Sequence, residues 1–271
     1  MAAVVACTSD ATADQQHPQT SCQSVLHVGD SLSLGITDEA DSPGADVAQQ
    51  YEAAGVTTSF FDVAGGRSSV ETVDDKPNAV SAAQELSRTH PAAGRCWVLQ
   101  IGTNDAANIS AGSQIDATAR IDQLMQVVGG EPVLWPNLKT LASAPTHYEP
   151  EKMVAYNGAL MEACTRYPNL RIYDAAADLP DTAFVDGIHH TGAGSEVFAG
   201  GIAGALASAY PAASDPAPGC MVGPAVPSSS PEGSPGPIAA PLPGNGQICF
   251  APIVDFCLPT TAFGSSSATD R

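Results

Sequence analysis

Five short apolar runs alternate with amphipathic helical stretches between residues 24 and 212, and this alternation constrains the fold more than any other feature of the chain. The runs are 25–29 (Val-Leu-His-Val-Gly), 58–63 (Thr-Ser-Phe-Phe-Asp-Val), 97–101 (Trp-Val-Leu-Gln-Ile), 133–138 (Val-Leu-Trp-Pro-Asn-Leu) and 170–174 (Leu-Arg-Ile-Tyr-Asp). Helical periodicity marks 44–54, 77–90, 114–128, 150–166 and 193–209. Ile115, Ala119, Ile121, Leu124 and Val128 form one apolar face, and Met153, Tyr156, Leu160, Cys164 and Tyr167 another. Strands that alternate with helices build βαβ units and a parallel sheet. Strands covered on both faces carry continuous apolar runs, as these do. The expected architecture is a three-layer α/β/α sandwich around a five-stranded parallel sheet in the flavodoxin-like order 2-1-3-4-5.

Composition divides the chain into three parts. Residues 1–22 contain Val4-Val5-Ala6-Cys7, which resembles a bacterial lipobox, followed by a Ser, Thr, Asp and Gln-rich stretch read as a tether. Only six residues precede Cys7, without a basic region or an apolar one. Cys7 is nevertheless a lipidation candidate. Residues 23–212 form the expected domain. Residues 213–271 are a Pro, Gly, Ser and Ala-rich tail with a short apolar segment bounded by Cys249 and Cys257.

The formal charge of −19 repels phosphate backbones, so nucleic-acid binding is excluded as an expectation. No apolar run reaches the roughly 20 residues of a membrane span. Seven cysteines without zinc spacing point to disulfides and an extracellular or cell-envelope location. A lipid anchor at Cys7 would leave six cysteines to pair.

Four polar or glycine-rich segments follow strands of the expected sheet, where sites of doubly wound folds form. They are Gly29-Asp30-Ser31-Leu32, Ala64-Gly65-Gly66-Arg67-Ser68, Gly102-Thr103-Asn104-Asp105 and Asp186-Gly187-Ile188-His189. In this order and placement the chain resembles the SGNH hydrolases, also called the GDSL esterase/lipase superfamily, over residues 24–210. Val-Leu-Trp-Pro-Asn-Leu-Lys-Thr and Asp-Gly-Ile-His are more similar to actinobacterial exported members than to secreted lipases.

The chemistry calls for these residue types. A serine hydroxyl needs a neighbouring base to become a nucleophile. Histidine suits that role, and a carboxylate three residues earlier can fix its tautomer. Ser31, His189 and Asp186 are therefore the expected triad, with His190 the nearest competitor for the base. The resemblance implies an oxyanion hole formed by the Ser31 and Gly66 backbone N–H groups and the Asn104 side chain, with Gly65 the alternative to Gly66. It implies no metal or cofactor. Arg67, Trp135 and Lys139 are candidates for substrate contact, although a surface ion pair explains Arg67 better and core packing explains Trp135 equally well. Ser31 also reads as a helix N-cap, and His27 as a core histidine.

The expected activity is hydrolysis of small acyl esters, acetyl above all, on cell-envelope or extracellular glycans by a monomer. A lipase, a thioesterase, an O-acyltransferase and a non-catalytic glycan-binding protein of the same fold are the alternatives. Strands one and three are neighbours in the expected order. Counting back from Gly29 and Gly102 places Cys22 and Cys96 at the same end of the sheet, one residue out of register, so they are expected to pair. The other four, Cys164, Cys220, Cys249 and Cys257, allow three pairings, of which a local Cys249–Cys257 bridge with Cys164 joined to Cys220 is one.

Overall fold

The computed structural model describes residues 18–38 and 40–224, together with the backbone of two short strands at 247–249 and 257–259. Cys7 lies outside the described residues. The chain divides into the units Met1–Ser229 and Ser230–Arg271.

In the first unit, strands β1 (Ser24–Gly29), β2 (Thr58–Val63), β3 (Arg95–Gln100), β4 (Val133–Pro136), β5 (Leu170–Tyr173) and β6 (Met221–Val222) form one parallel sheet in the order β2-β1-β3-β4-β5-β6. The helices are α1 (Ser31–Leu34), α2 (Val47–Ala53), α3 (Ala79–Thr89), α4 (Thr103–Ser110), α5 (Ala117–Val128), α6 (Pro150–Arg166), α7 (Ala175–Asp178) and α8 (Gly192–Ala209). The sandwich and the order of the first five strands agree with the sequence reading. The sheet has six strands rather than five. Residues 221–222, which composition places in the tail, return to the edge beside β5, where the Ile172 N–H donates to Cys220 O and the Asp174 N–H to Val222 O.

Successive residues of each strand face opposite layers. Val25, Val98, Leu134 and Tyr173 pack with residues of α2 and α8, including Tyr51, Phe198 and Ile202. Leu26, Trp97, Leu99 and Trp135 pack with α3, α5 and α6 through Leu86, Leu124 and Leu160. Short polar side chains close the helix starts: Asp46, Asn78, Asp116 and Thr191 each accept a first-turn N–H.

Two disulfides join described residues. Cys22–Cys96 has its Cα atoms 5.6 Å apart, and Cys164–Cys220 has them 5.9 Å apart. The first pairing agrees with expectation and the second is one of the three left open, but the register behind the first differs from that expected. Gly29 pairs with Gln100 rather than with Gly102, and Val25 pairs with Cys96. Cys22 stands outside β1, so the approach segment rather than the ladder brings its sulfur to Cys96. The second bridge ties the end of α6 to the start of β6. In the second unit, β7 (Gln247–Cys249) and β8 (Cys257–Pro259) pair antiparallel with Cys249 opposite Cys257; a bond between those side chains lies outside the described residues.

Candidate active site

The first site element is built by Gly29, Asp30 and Ser33. A Cβ on Gly29 would stand 2.0 Å from Ser33 Oγ, so only glycine admits that hydroxyl against the end of β1. Asp30 then turns the chain into α1, with its Oδ1 accepting from the Leu32 N–H at 2.9 Å. The N-cap is therefore Asp30, not Ser31. Ser31 occupies the first helical position, where its N–H has no intrahelical acceptor.

Beneath α1 a buried chain of hydrogen bonds has one direction. Ser33 Oγ donates to Gln100 Oε1 at 2.8 Å, so it must accept from His27 Nε2, also at 2.8 Å. His27 Nδ1 is then the acceptor for the Tyr51 hydroxyl at 2.9 Å. Burial lowers the His27 pKa to about 3, so the ring is neutral and serves the core.

The second element is a tight turn before α8. Val185 N–H donates to His189 O at 2.8 Å across it. Gly187 sits at φ +88° with Ala144 N 2.7 Å from where a Cβ would be, a position that strongly favours glycine. Asp186 Oδ1 accepts from the N–H groups of Ile188 and His189 at 2.9 and 2.7 Å, and Oδ2 meets His189 Nδ1 at 2.8 Å. His189 Nε2 reaches Ser31 Oγ at 3.0 Å. Partial burial raises the Asp186 pKa, but the hydrogen bonds from His189 and Ile188 outweigh it and hold the value at about 2. An ionised carboxylate only accepts, so Nδ1 carries the proton and Nε2 presents its lone pair to the serine hydroxyl. Ser31, His189 and Asp186 thus stand in one hydrogen-bonded line, with the His189 and Asp186 side chains 47% and 51% exposed.

The third element brings Asn104 to the start of α4. Gly102, at φ +136°, lies against Tyr156 and Leu138, where a Cβ would come within 2.9–3.0 Å of both. Asn104 is 8% exposed. Its Nδ2 donates to Arg67 O at 3.0 Å and lies 3.5 Å from Asp30 Oδ2. The Arg67 carbonyl belongs to the same loop as Gly66, which stands at φ +73°. Next along α4, Asp105 accepts from the Ser69 N–H and hydroxyl at 2.9 and 3.1 Å and pairs with Arg120 at 2.7 Å. Arg120 also grips Glu71, so α4, α5 and the Gly66 loop are locked together. Partial burial raises the Glu71 pKa, but bonds from Arg120, Ser68 and Ser113 bring it down to about 2.

The three substrate-contact candidates are committed elsewhere. Arg67 is buried, donates to Pro77 O and Gly29 O, and pairs with Asp62. Trp135 is fully buried and donates to Ile101 O at 2.7 Å. Lys139 donates to Leu179 O at 2.6 Å and pairs with Asp181 at 3.0 Å. His190 is packed between Phe184 and Phe198, with ring centroids 5.2 and 4.8 Å away, and burial lowers its pKa to about 4. It is therefore not placed as the base. The sequence reading did not include Asp30, Arg120 or Tyr148 among the site residues. The aspartate cap before a helix was a readable signal for Asp30, whereas Arg120 and Tyr148 reach the site only through tertiary structure.

No family model matches the sequence, and neither does any curated protein. Solved structures do match. A protein from Agrobacterium tumefaciens described as an arylesterase is 20% identical with a TM-score of 0.54, covering 68% of this chain and 96% of its own. The native aryl esterase of M. smegmatis is 19% identical with a TM-score of 0.53, covering 66% and 94%. A carbohydrate acetylesterase family member from Sinorhizobium meliloti is 17% identical with a TM-score of 0.52, covering 66% and 93%. The chain shares the fold of these proteins.

Proposed function

We propose that the protein is a serine ester hydrolase of the SGNH superfamily, with Ser31 as nucleophile, His189 as general base and Asp186 as its orienting carboxylate. The observation that carries this reading is the hydrogen-bonded line from Asp186 Oδ2 through His189 to Ser31 Oγ, with bonds of 2.8 and 3.0 Å. In the forward step His189 Nε2 takes the Ser31 proton as Oγ attacks the ester carbonyl carbon. The carbonyl π electrons move to oxygen, and the Ser31 and Gly66 N–H groups and Asn104 Nδ2 stabilise that oxyanion. Collapse of the adduct breaks the bond to the alcohol oxygen, which receives the proton from His189. Water then gives its proton to His189 and attacks the acyl-enzyme. The carboxylic acid leaves, and the proton returns to Ser31.

The substrate reading is a small neutral acyl ester, acetyl above all, carried on a glycan. Two observations support it. Arg67 and Lys139 are both spent on internal partners, so neither is offered to an anionic substrate. A similarly folded protein from Sinorhizobium meliloti is described as a carbohydrate acetylesterase family member. The two disulfides support an extracellular or envelope location.

The test is turnover of p-nitrophenyl acetate by wild type and Ser31→Ala, followed by a panel of acetylated glycans and longer acyl esters. Loss of turnover in Ser31→Ala with a retained thermal midpoint supports the mechanism, and full turnover overturns it. Preference for long acyl chains over acetyl would overturn the substrate reading alone.

A further inference from the structure

We infer that Tyr148 is a positioning residue for the oxyanion hole, holding the Asn104 amide with its N–H toward the reacting carbonyl and its oxygen away. The inference rests on the serine-esterase reading above.

An asparagine amide offers two donors and one oxygen acceptor, and turning it over exchanges them. At Asn104 both sides of that choice are occupied. The Arg67 carbonyl, an acceptor only, takes one Nδ2 hydrogen at 3.0 Å. The Tyr148 hydroxyl donates to Oδ1 at 2.9 Å. The second Nδ2 hydrogen has only the 3.5 Å approach to Asp30 Oδ2, beyond the usual range for a strong bond, and it remains the donor for an oxyanion. Without the hydroxyl, Oδ1 would be a nearly buried acceptor lacking its partner, and such a group turns toward another donor. Donation into Oδ1 also draws electron density from the amide and strengthens its N–H groups.

The chain spends backbone strain to bring Tyr148 there. His147, immediately before it, has φ +75°, a left-handed conformation uncommon for a residue with a side chain. Three contacts hold the distorted segment. His147 Nδ1 and Ser110 Oγ meet at 3.2 Å, Thr140 Oγ1 donates to Tyr148 O at 2.7 Å, and the Tyr148 N–H donates to Pro145 O at 3.0 Å. Ser110 ends α4, and Asn104 lies in its first turn. The 147–148 segment therefore grips both ends of the helix that carries the oxyanion donor, and Tyr148 is packed against both core layers.

The experiment is a double-mutant cycle on p-nitrophenyl acetate with Tyr148→Phe and Asn104→Ala, with thermal midpoints recorded for each variant. The phenylalanine ring keeps the packing and removes only the hydroxyl. Tyr148→Phe is expected to lower kcat about tenfold with KM nearly unchanged, against about 10²–10³-fold for Asn104→Ala. In the Asn104→Ala background, Tyr148→Phe is expected to change kcat by less than about twofold, because the group it positions is gone. An equal loss in both backgrounds, a change confined to KM, or wild-type turnover in Tyr148→Phe overturns the assignment. Ser31→Ala in the same assay separates the two failures. Turnover there overturns the esterase reading itself, while a dead Ser31→Ala beside an additive cycle overturns only the role of Tyr148.

Discussion

The Asp30 carboxyl lies 3.5 Å from the side-chain amide of Asn104. Asp30 is completely buried, and that burial raises its pKa to about 7, against the opposing bonds from Leu32 and Gln100. The folded state therefore holds the proton more tightly than the unfolded chain, whose carboxyl titrates near 3.8. Stability from this group is fully present below about 3.8 and is lost as pH rises toward 7. Asp30→Asn keeps an oxygen for the Leu32 N–H and removes the titration. Its thermal midpoint relative to wild type is expected to climb between pH 4 and pH 8, reflecting up to a few kcal/mol. Scanning calorimetry at both pH values checks this, and a pH-independent difference would show that the carboxyl is ionised throughout.

The two histidines at 189 and 190 are expected to separate cleanly. His189→Ala removes the proposed base and should abolish ester turnover. Asp186→Asn leaves a base without its tautomer control and should lower kcat by roughly 10³–10⁴. His190→Ala removes a ring packed on Phe184 and Phe198, so the expected result is near-wild-type kcat with a loss of roughly 1–3 kcal/mol in stability. Steady-state kinetics beside urea unfolding checks all three. Loss of turnover in a folded His190→Ala would reverse the assignment of the base.

These candidate site residues were legible because each stands at the end of a local pattern. Ser31 follows an apolar strand and a glycine, and Asp186 and His189 share one turn. The five main strands were legible as continuous apolar runs, since parallel strands buried on both faces have no polar alternation to obscure them. Elements too short to carry a period were not. α1 has four residues and β6 has two, and β6 exists because β5 offers an open edge and Cys164–Cys220 holds the chain there. The functions of charged residues were equally hidden. Arg67 reads as a surface ion pair or a substrate contact until the fold buries it against Asp62 and three backbone carbonyls. Tyr148 lies 44 residues from Asn104, and no local spacing announces that contact.

Arg120 offers a test of how the Gly66 loop is held. Its guanidinium is fully buried and joins Asp105 to Glu71. Burial raises the Asp105 pKa, with the Ser69 and Arg120 bonds working against it. Arg120→Met would leave the Asp105 carboxylate buried without its cation, at an expected cost of about 3–5 kcal/mol. Adding Asp105→Asn should recover much of that loss, because the stranded charge is gone and the amide still accepts from Ser69. Urea unfolding of the single and double variants gives the comparison. A double variant no more stable than Arg120→Met would mean that the pair does not act as a charge pair.

The acid limb of stability is expected to come in part from His27 and His190. Their folded pKa values are lowered to about 3 and about 4, both by burial first. An unfolded chain takes up these protons near 6.5. The sign is therefore opposite to that of Asp30: the stability is complete above about 6.5 and drains away as pH falls through 4 and then 3. At pH 4.5 each imidazole has withdrawn about 2–3 kcal/mol relative to neutral pH. His27→Gln can still donate to Ser33 and accept from Tyr51, the two bonds that fix the ring beneath α1. It cannot titrate. Its thermal midpoint is therefore expected below that of wild type at pH 7, because glutamine fills the site less well, yet to fall less between pH 7 and pH 4.5. His190→Phe should show the same reduced slope. Equal falls in thermal midpoint between pH 7 and pH 4.5 for wild type and both variants would overturn the claim that these imidazoles set the acid limit.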